Sequence, residues 1–431
     1  MKLNWKHTHG LSDGDIALRA GSLSAYTTSL RAVHTAGDES VPEASLTLPA
    51  TDVAPISEVA AAVSSTRLRY IVVIGIGGSN LGTKAIYDAL RQYSTNDTNP
   101  EIVFIDTTNA AQLRHHIATI IPTLTSMDEV VLVSISKSGG TTETIANTEV
   151  LLSAYAKQFP SITERTVVIT DQDSPFYSAA TEAGIARLTI PAMVGGRYSV
   201  FSAVGLLPLL LAGIDIHAIR KGAQDILPYC LNEDWEHNPA IQSATVATLL
   251  YESGIHIHDT FVFHTELESL GKWYRQLLGE SIGKKETVRG ERRPVGFTPT
   301  VSIGSTDLHS VGQLYLGGPN ERLTTFVYST KEEGVPIPEQ RWFPELVPMI
   351  NRSTTEDIMQ AIRGGVKSAY GDAGLPYMEI ELSGITPYEL GAFMQWKMVE
   401  MMYLGKLFQV NPFDQPSVES YKVGTKRILE N

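Results

Sequence analysis

From Tyr70 onward the chain alternates short, almost uninterrupted apolar runs with longer stretches in which apolar residues recur every three or four positions. The runs YIVVIGI, EIVFIDT, EVVLVSIS and TVVITD are separated by helical periods over residues 84–92, 109–120 and 142–159, and a further helix is predicted near 176–183. Strands that are apolar on both sides of the pleat belong in a parallel sheet covered on each face by helices. The pattern therefore predicts a βαβ, doubly wound unit. Helical periods over 200–230 and 239–252 follow, with little strand signal between them. A second alternation then begins with HIHDTFVF, a helix over 266–280, a strand over 298–303, LTTFVYS, a helix over 356–370 and YMEIEL. The periods TPYELGAFMQWKMVEMMYLGKLF and VESYKVGTKRIL predict C-terminal helices joined by the turn-rich NPFDQPS. No fixed-period repeat or low-complexity stretch is present. The expected division is an N-terminal helical and loop extension over 1–65, α/β domains over 66–225 and 226–410, and a C-terminal helical segment over 411–431.

Composition narrows the function classes. At 431 residues, 43% hydrophobic and 19% charged, the chain is long enough for two or three domains with ordinary globular cores. Its longest apolar helical run, near Val200 to Gly213, falls short of the ~20 residues that cross a bilayer, so no membrane span is expected. One cysteine, Cys230, leaves no intramolecular disulfide and no CxxC zinc ribbon. The start MKLNWKHTHG lacks an apolar signal core, which points to the cytoplasm. The net charge of −13, from 34 basic and 47 acidic residues, argues against nucleic acid or an anionic membrane as the main partner. An anionic ligand must then be met by local groups.

Two loops offer such groups. Gly75-Ile76-Gly77-Gly78-Ser79-Asn80-Leu81-Gly82 lies between the first strand and its helix, where glycines permit close backbone approach and a helix N-terminus presents free N–H groups. It is neither a dinucleotide fingerprint, since Asn80 replaces the third glycine, nor a Walker loop, since Thr83 follows Gly82. The third strand ends in Ser134-Ile135-Ser136-Lys137-Ser138-Gly139-Gly140-Thr141-Thr142-Glu143-Thr144, which also opens a helix. Hydroxyls, glycines and a lysine at a strand's carboxyl end suit a phosphate gripped without a metal, or simply a capped helix.

Five blocks, IGIGGSNLG, SISKSGGTTET, VGGRYSVFSAVG, QLLGESIGKK and NPFDQPSVESYK, with STDLHS between the last two, resemble in order and spacing those of the glucose-6-phosphate isomerase family. The resemblance implies two doubly wound sugar-isomerase (SIS) αβα sandwich domains with parallel-rich sheets. It also implies a cofactor-free homodimer with shared active sites that interconverts glucose 6-phosphate and fructose 6-phosphate in glycolysis and gluconeogenesis. That reaction needs a phosphate grip, an acid/base to open the ring, a base to carry a proton between C2 and C1, and positive charge beside the enediolate. By resemblance Glu280 is the carrier base, one helical turn from Gln276, and His309 helps open the ring from the neighbouring subunit. Lys422 stands beside the ring oxygen and O1, Arg197 stabilises the enediolate with a permanent charge, and Glu143 orients the histidine. Gly78, Ser79, Ser136, Lys137 (through its backbone N–H), Ser138, Thr141, Gln276 and Gln415 form the phosphate and substrate side. One departure is Ser417, where the family pattern has glycine.

Three other readings compete. In His256-Ile257-His258 the alternation puts two imidazoles on one strand face as a possible metal pair, with His264 further on, but Asp259 points to the opposite face. A sugar-phosphate-sensing SIS module would not require Glu280, His309 and Lys422 together. Broader hexose 6-phosphate specificity rests on pocket shape around C2 and C3.

Overall fold

The computed structural model describes residues 1–8, 10–93, 99–339, 342–343 and 345–430. Its first sheet is wholly parallel, in the order Glu101–Ile105, Tyr70–Ile74, Val130–Ile135, Thr166–Thr170, Ala186–Thr189. The two faces bury different side chains of the same strands. Val72, Ile74, Leu132 and Ile105 pack with Leu151 and Tyr155 of the helix Thr142–Ala156. Ile71, Val73, Val131 and Val133 pack with Ala85 and Ile86 of the helix Leu81–Arg91. Because the side-chain period of a strand is two, an apolar run is what feeds both faces at once. The chain passes from Tyr70–Ile74 to one neighbour and then returns to the other, so the crevice at the switch point lies beyond the carboxyl ends of Tyr70–Ile74 and Val130–Ile135. The two glycine- and serine-rich loops lead out of these strand ends.

The second sheet runs Lys2–Asn4, Tyr377–Leu382, Arg322–Ser329, Ile257–Val262, Thr298–Ile303. Its last four strands are parallel, and Lys2–Asn4 pairs antiparallel with Tyr377–Leu382. That edge strand lies within the stretch expected to hold only helix and loop. It is three residues long with an exposed, intermediate, exposed burial pattern, too short for an alternation to register. The predicted helix over 200–230 is two helices, Ala203–Leu211 and Ile216–Cys230, with Gly213 at φ +72° in the turn between them. Pro387–Phe408 is buried on nearly every side and packs on Ile216–Cys230 and Pro239–Glu252. One apolar core contacts both sheets, from Ile71 and Val133 to Val327 and Ile380. Among the described residues no helix is long and apolar enough to cross a membrane.

Candidate active site

Arg197 is placed by a tight turn, Gly196–Tyr198, and is 2% exposed. Its five N–H donors all find acceptors. Nε donates to Ser281 Oγ (2.9 Å), and Nη1 donates to Gln415 Oε1 (2.8 Å) and Glu280 Oε2 (3.4 Å). Nη2 donates to the carbonyls of Pro412 (2.6 Å) and Asp414 (3.1 Å). A guanidinium can be removed from water only when its fork is satisfied in this way. These acceptors come from two separate parts of the chain, residues 280–281 and 412–415. Tyr198 fixes the same corner, since its hydroxyl hydrogen-bonds Ser281 Oγ (2.9 Å) and donates to the Pro412 carbonyl (3.2 Å).

Glu280 lies near the end of the helix Glu268–Ile282, with its side chain 36% exposed. Gln276, one turn earlier on the same face, donates from Nε2 to Glu280 Oε1 (3.2 Å). The carboxylate thus has one oxygen held by an amide and the other by a guanidinium, while a third of its surface stays open to a ligand. The helix is seated by close approach at Gly271, where a Cβ would lie 2.7 Å from Val301 Cγ1.

The glycine-rich loop reaches this corner from the first sheet. A Cβ on Gly78 would lie 2.1 Å from the Gly196 carbonyl carbon and 2.5 Å from Arg197 N, so only glycine fits there. Gly77, at φ +59°, faces Gln276 Nε2. Ser79 closes the turn Gly77–Ser79, partly exposed, next to Asn80, whose buried side-chain amide has no hydrogen-bond partner. In the second loop Ser136 Oγ donates to Thr141 Oγ1 (3.0 Å) and accepts from Thr141 N–H (3.4 Å). Ser138 is exposed, and its Oγ accepts from the Gly140 N–H (3.4 Å). The N–H groups of Lys137 and Ser138 have no partner among the described residues. The Lys137 ammonium turns away, donating to the carbonyls of Ala192 (2.6 Å) and Val194 (2.9 Å), and burial pulls its pKa below the usual lysine range. Glu143 is half-buried in the first turn of the next helix.

Other expected groups make no bond to this corner among the described residues. His309 is exposed just after the turn Thr306–Leu308, in a loop held by Asp307, which accepts from Ile303 N–H (2.8 Å) and Ser310 Oγ (2.8 Å). Lys422 is exposed on the helix Glu419–Leu429 and donates to Glu419 Oε1 (2.7 Å). Ser417 lies in the turn Pro416–Val418, and its φ is outside the left-handed region, so serine is accommodated where the family has glycine. His309, Glu143 and Lys422 bond to neither Glu280 nor Arg197 among the described residues.

The two imidazoles expected on one strand face are not equivalent. His256 precedes the strand Ile257–Val262 and is exposed against Tyr251, whereas His258 is fully buried, with Nε2 2.9 Å from Thr325 Oγ1. Burial, then the charge of Lys397, lowers the His258 pKa to about 3. Asp259 is occupied by the hydroxyls of Thr300 and Ser302. Ser281, Tyr198, Lys284 and the carbonyls of Pro412 and Asp414 are site groups that the sequence reading does not reach. Ser281 and Lys284 stand inside the block QLLGESIGKK, whose length beyond Glu280 is the available signal. A cavity of 1190 Å³ has Lys284, Pro412 and Asp414 in its wall but neither Glu280 nor Arg197, so this hollow adjoins the chemistry without containing it.

A family model described as phosphoglucose isomerase matches residues 27–339, which includes every block but NPFDQPSVESYK. The chain is 32% identical over 396 residues to the glucose-6-phosphate isomerase of Carboxydothermus hydrogenoformans, covering 89% of this chain and 83% of that protein. A structure solved as a hypothetical protein from Thermus thermophilus is similar over 100% of both chains, with TM-score 0.87 and 28% identity. A glucose-6-phosphate isomerase from Chlamydia trachomatis shares the fold, with TM-score 0.82 and 19% identity over 99% of this chain and 88% of that one.

Proposed function

The chain belongs to the phosphoglucose isomerase family, and on that footing we propose that it interconverts glucose 6-phosphate and fructose 6-phosphate by proton transfer through a cis-enediolate, with Glu280 as the carrier base. The observation that carries the reading is the Arg197–Glu280 pairing. An open carboxylate held by a buried, permanently charged guanidinium sits where the phosphate-type loop of one sheet meets a helix of the other. When Glu280 takes the C2 proton its charge disappears, and Arg197 is left facing the developing enediolate oxygen without a proton of its own to lose. Ser79, Ser136, Ser138, Thr141, Gln276 and the backbone N–H of Lys137 receive the phosphate by hydrogen bonds, and Gln415 joins them from the C-terminal loop. Because hydroxyls and amides dominate that set, the −13 chain needs no basic surface to bind a dianion.

His309 and Lys422 complete the site as the ring-opening pair, His309 entering from a second copy of the chain and Glu143 orienting it. The exposure of both His309 and Lys422 in the single chain supports this homodimer. A single, fully buried cysteine is consistent with a cytoplasmic enzyme.

The deciding measurement is a metal-free coupled assay of ketose phosphate formed from aldose phosphate. Loss of a general base removes roughly 10²–10⁴-fold in rate, so Glu280→Gln should fall by that order while still binding the sugar phosphate. Equal turnover in wild type and Glu280→Gln sinks the reading.

A further inference from the structure

Lys284 opens the strand Lys284–Glu286, directly after the helix that carries Glu280, and is only 8% exposed. Its ammonium does not face solvent. Nζ donates to the backbone carbonyl of Glu280 itself (2.7 Å) and to the carbonyl of Asp414 (2.6 Å), and lies 3.3 Å from the Asp414 carboxylate. The Asp414 carbonyl is the same one that Arg197 Nη2 reaches at 3.1 Å, and the next residue, Gln415, accepts from Arg197 Nη1. Two buried cations therefore grip one loop by its backbone, one from the enediolate side and the other from the end of the base's helix. A lysine placed against another cation and out of water is costly, and burial followed by Arg197's charge does pull its pKa down. Such an arrangement persists where the geometry it fixes is needed.

We propose that Lys284 is a positioning residue for the isomerisation, locking the C-terminal loop Pro412–Gln415 to the backbone of Glu280 so that carboxylate, guanidinium and Gln415 keep one mutual geometry. The proposal rests on the isomerase reading above. It separates two kinetic effects. Lys284 donates to no group of the first sheet's phosphate loops, so its loss loosens only Gln415's share of the phosphate grip and leaves the greater part of ground-state binding in place. Proton transfer depends on where Glu280 sits, and a misplacement of about 1 Å costs roughly 10²-fold.

The test compares wild type with Lys284→Met, Lys284→Arg and Lys284→Gln in the coupled assay, together with hydrogen exchange over residues 411–418. Lys284→Met should lower kcat by roughly 10–100-fold and leave KM within about threefold. Lys284→Arg, which keeps a cation able to serve both carbonyls, should recover most of that loss. Exchange over 411–418 should quicken in Lys284→Met while the sheets stay protected. If Lys284→Met does not fold, Lys284→Gln, too short to span both carbonyls, is judged by the same split. A kcat within about threefold of wild type, a KM that rises as far as kcat falls, or unchanged exchange over 411–418 overturns the proposal. Absence of turnover in wild type would instead refute the isomerase reading, and the exchange measurement would still decide whether the lysine clamps the loop.

Discussion

At the scale of single residues, the site depends on donors whose geometry cannot be exchanged for charge alone. Arg197 uses all five N–H groups, and a lysine offers three donors on a flexible stem with no planar fork. Arg197→Lys should therefore leave the Pro412 and Asp414 carbonyls under-satisfied and lower kcat by at least about tenfold, with the larger part of the loss in kcat rather than KM. Steady-state kinetics on the purified variant checks this, and a change confined to KM would contradict it. Legibility in the sequence is uneven at this scale. Glu280 and Arg197 are reached only through the family resemblance of their blocks, whereas the nearness of Gln276 to Glu280 follows from helical spacing. Lys284 and Tyr198 are invisible because each ties the site to the C-terminal loop through a backbone carbonyl more than 100 residues away, and a carbonyl leaves no trace in residue type.

Among the elements, Pro387–Phe408 has the largest structural role and an unusual interior. Lys397 and Glu400, 1% and 0% exposed, pair at 2.6 Å inside it, with the ammonium over the rings of Trp396 and Tyr274. The Tyr274 hydroxyl is pushed well above its ordinary pKa by burial and by Glu400. Removing one partner strands a buried charge, at a cost of about 3–5 kcal/mol, whereas replacing both by apolar residues of similar volume is often neutral or stabilising. Urea denaturation of Lys397→Met and of the Lys397→Met, Glu400→Leu pair should show that large loss in the single variant and its recovery in the double. A double variant no more stable than the single would contradict the account. Elements bounded by turn residues are readable: Pro239–Glu252 and Thr298–Ile303 have the predicted limits. The break at Gly213 and the edge strand Lys2–Asn4 are not, because a continuous apolar run hides a helix turn and a three-residue strand carries no period.

For the whole molecule, the proposal that His309 serves the Glu280 of another copy has a direct test. If His309 enters from a second copy, Glu280→Gln and His309→Ala are each inactive alone, yet a mixed dimer of the two contains one site with both native groups. Co-refolding equal amounts should then restore about a quarter of wild-type activity, since about half the dimers are mixed and each has one working site. No recovery, in a mixture shown by native mass spectrometry to contain mixed dimers, would place the histidine in its own subunit's site. The apolar core that contacts both sheets also decides whether the chain could be divided. The two sheets share one interior, so neither has a finished surface where the other leaves off. A cut between them would leave each half with an apolar face open to water, so the halves would stay soluble only if made together.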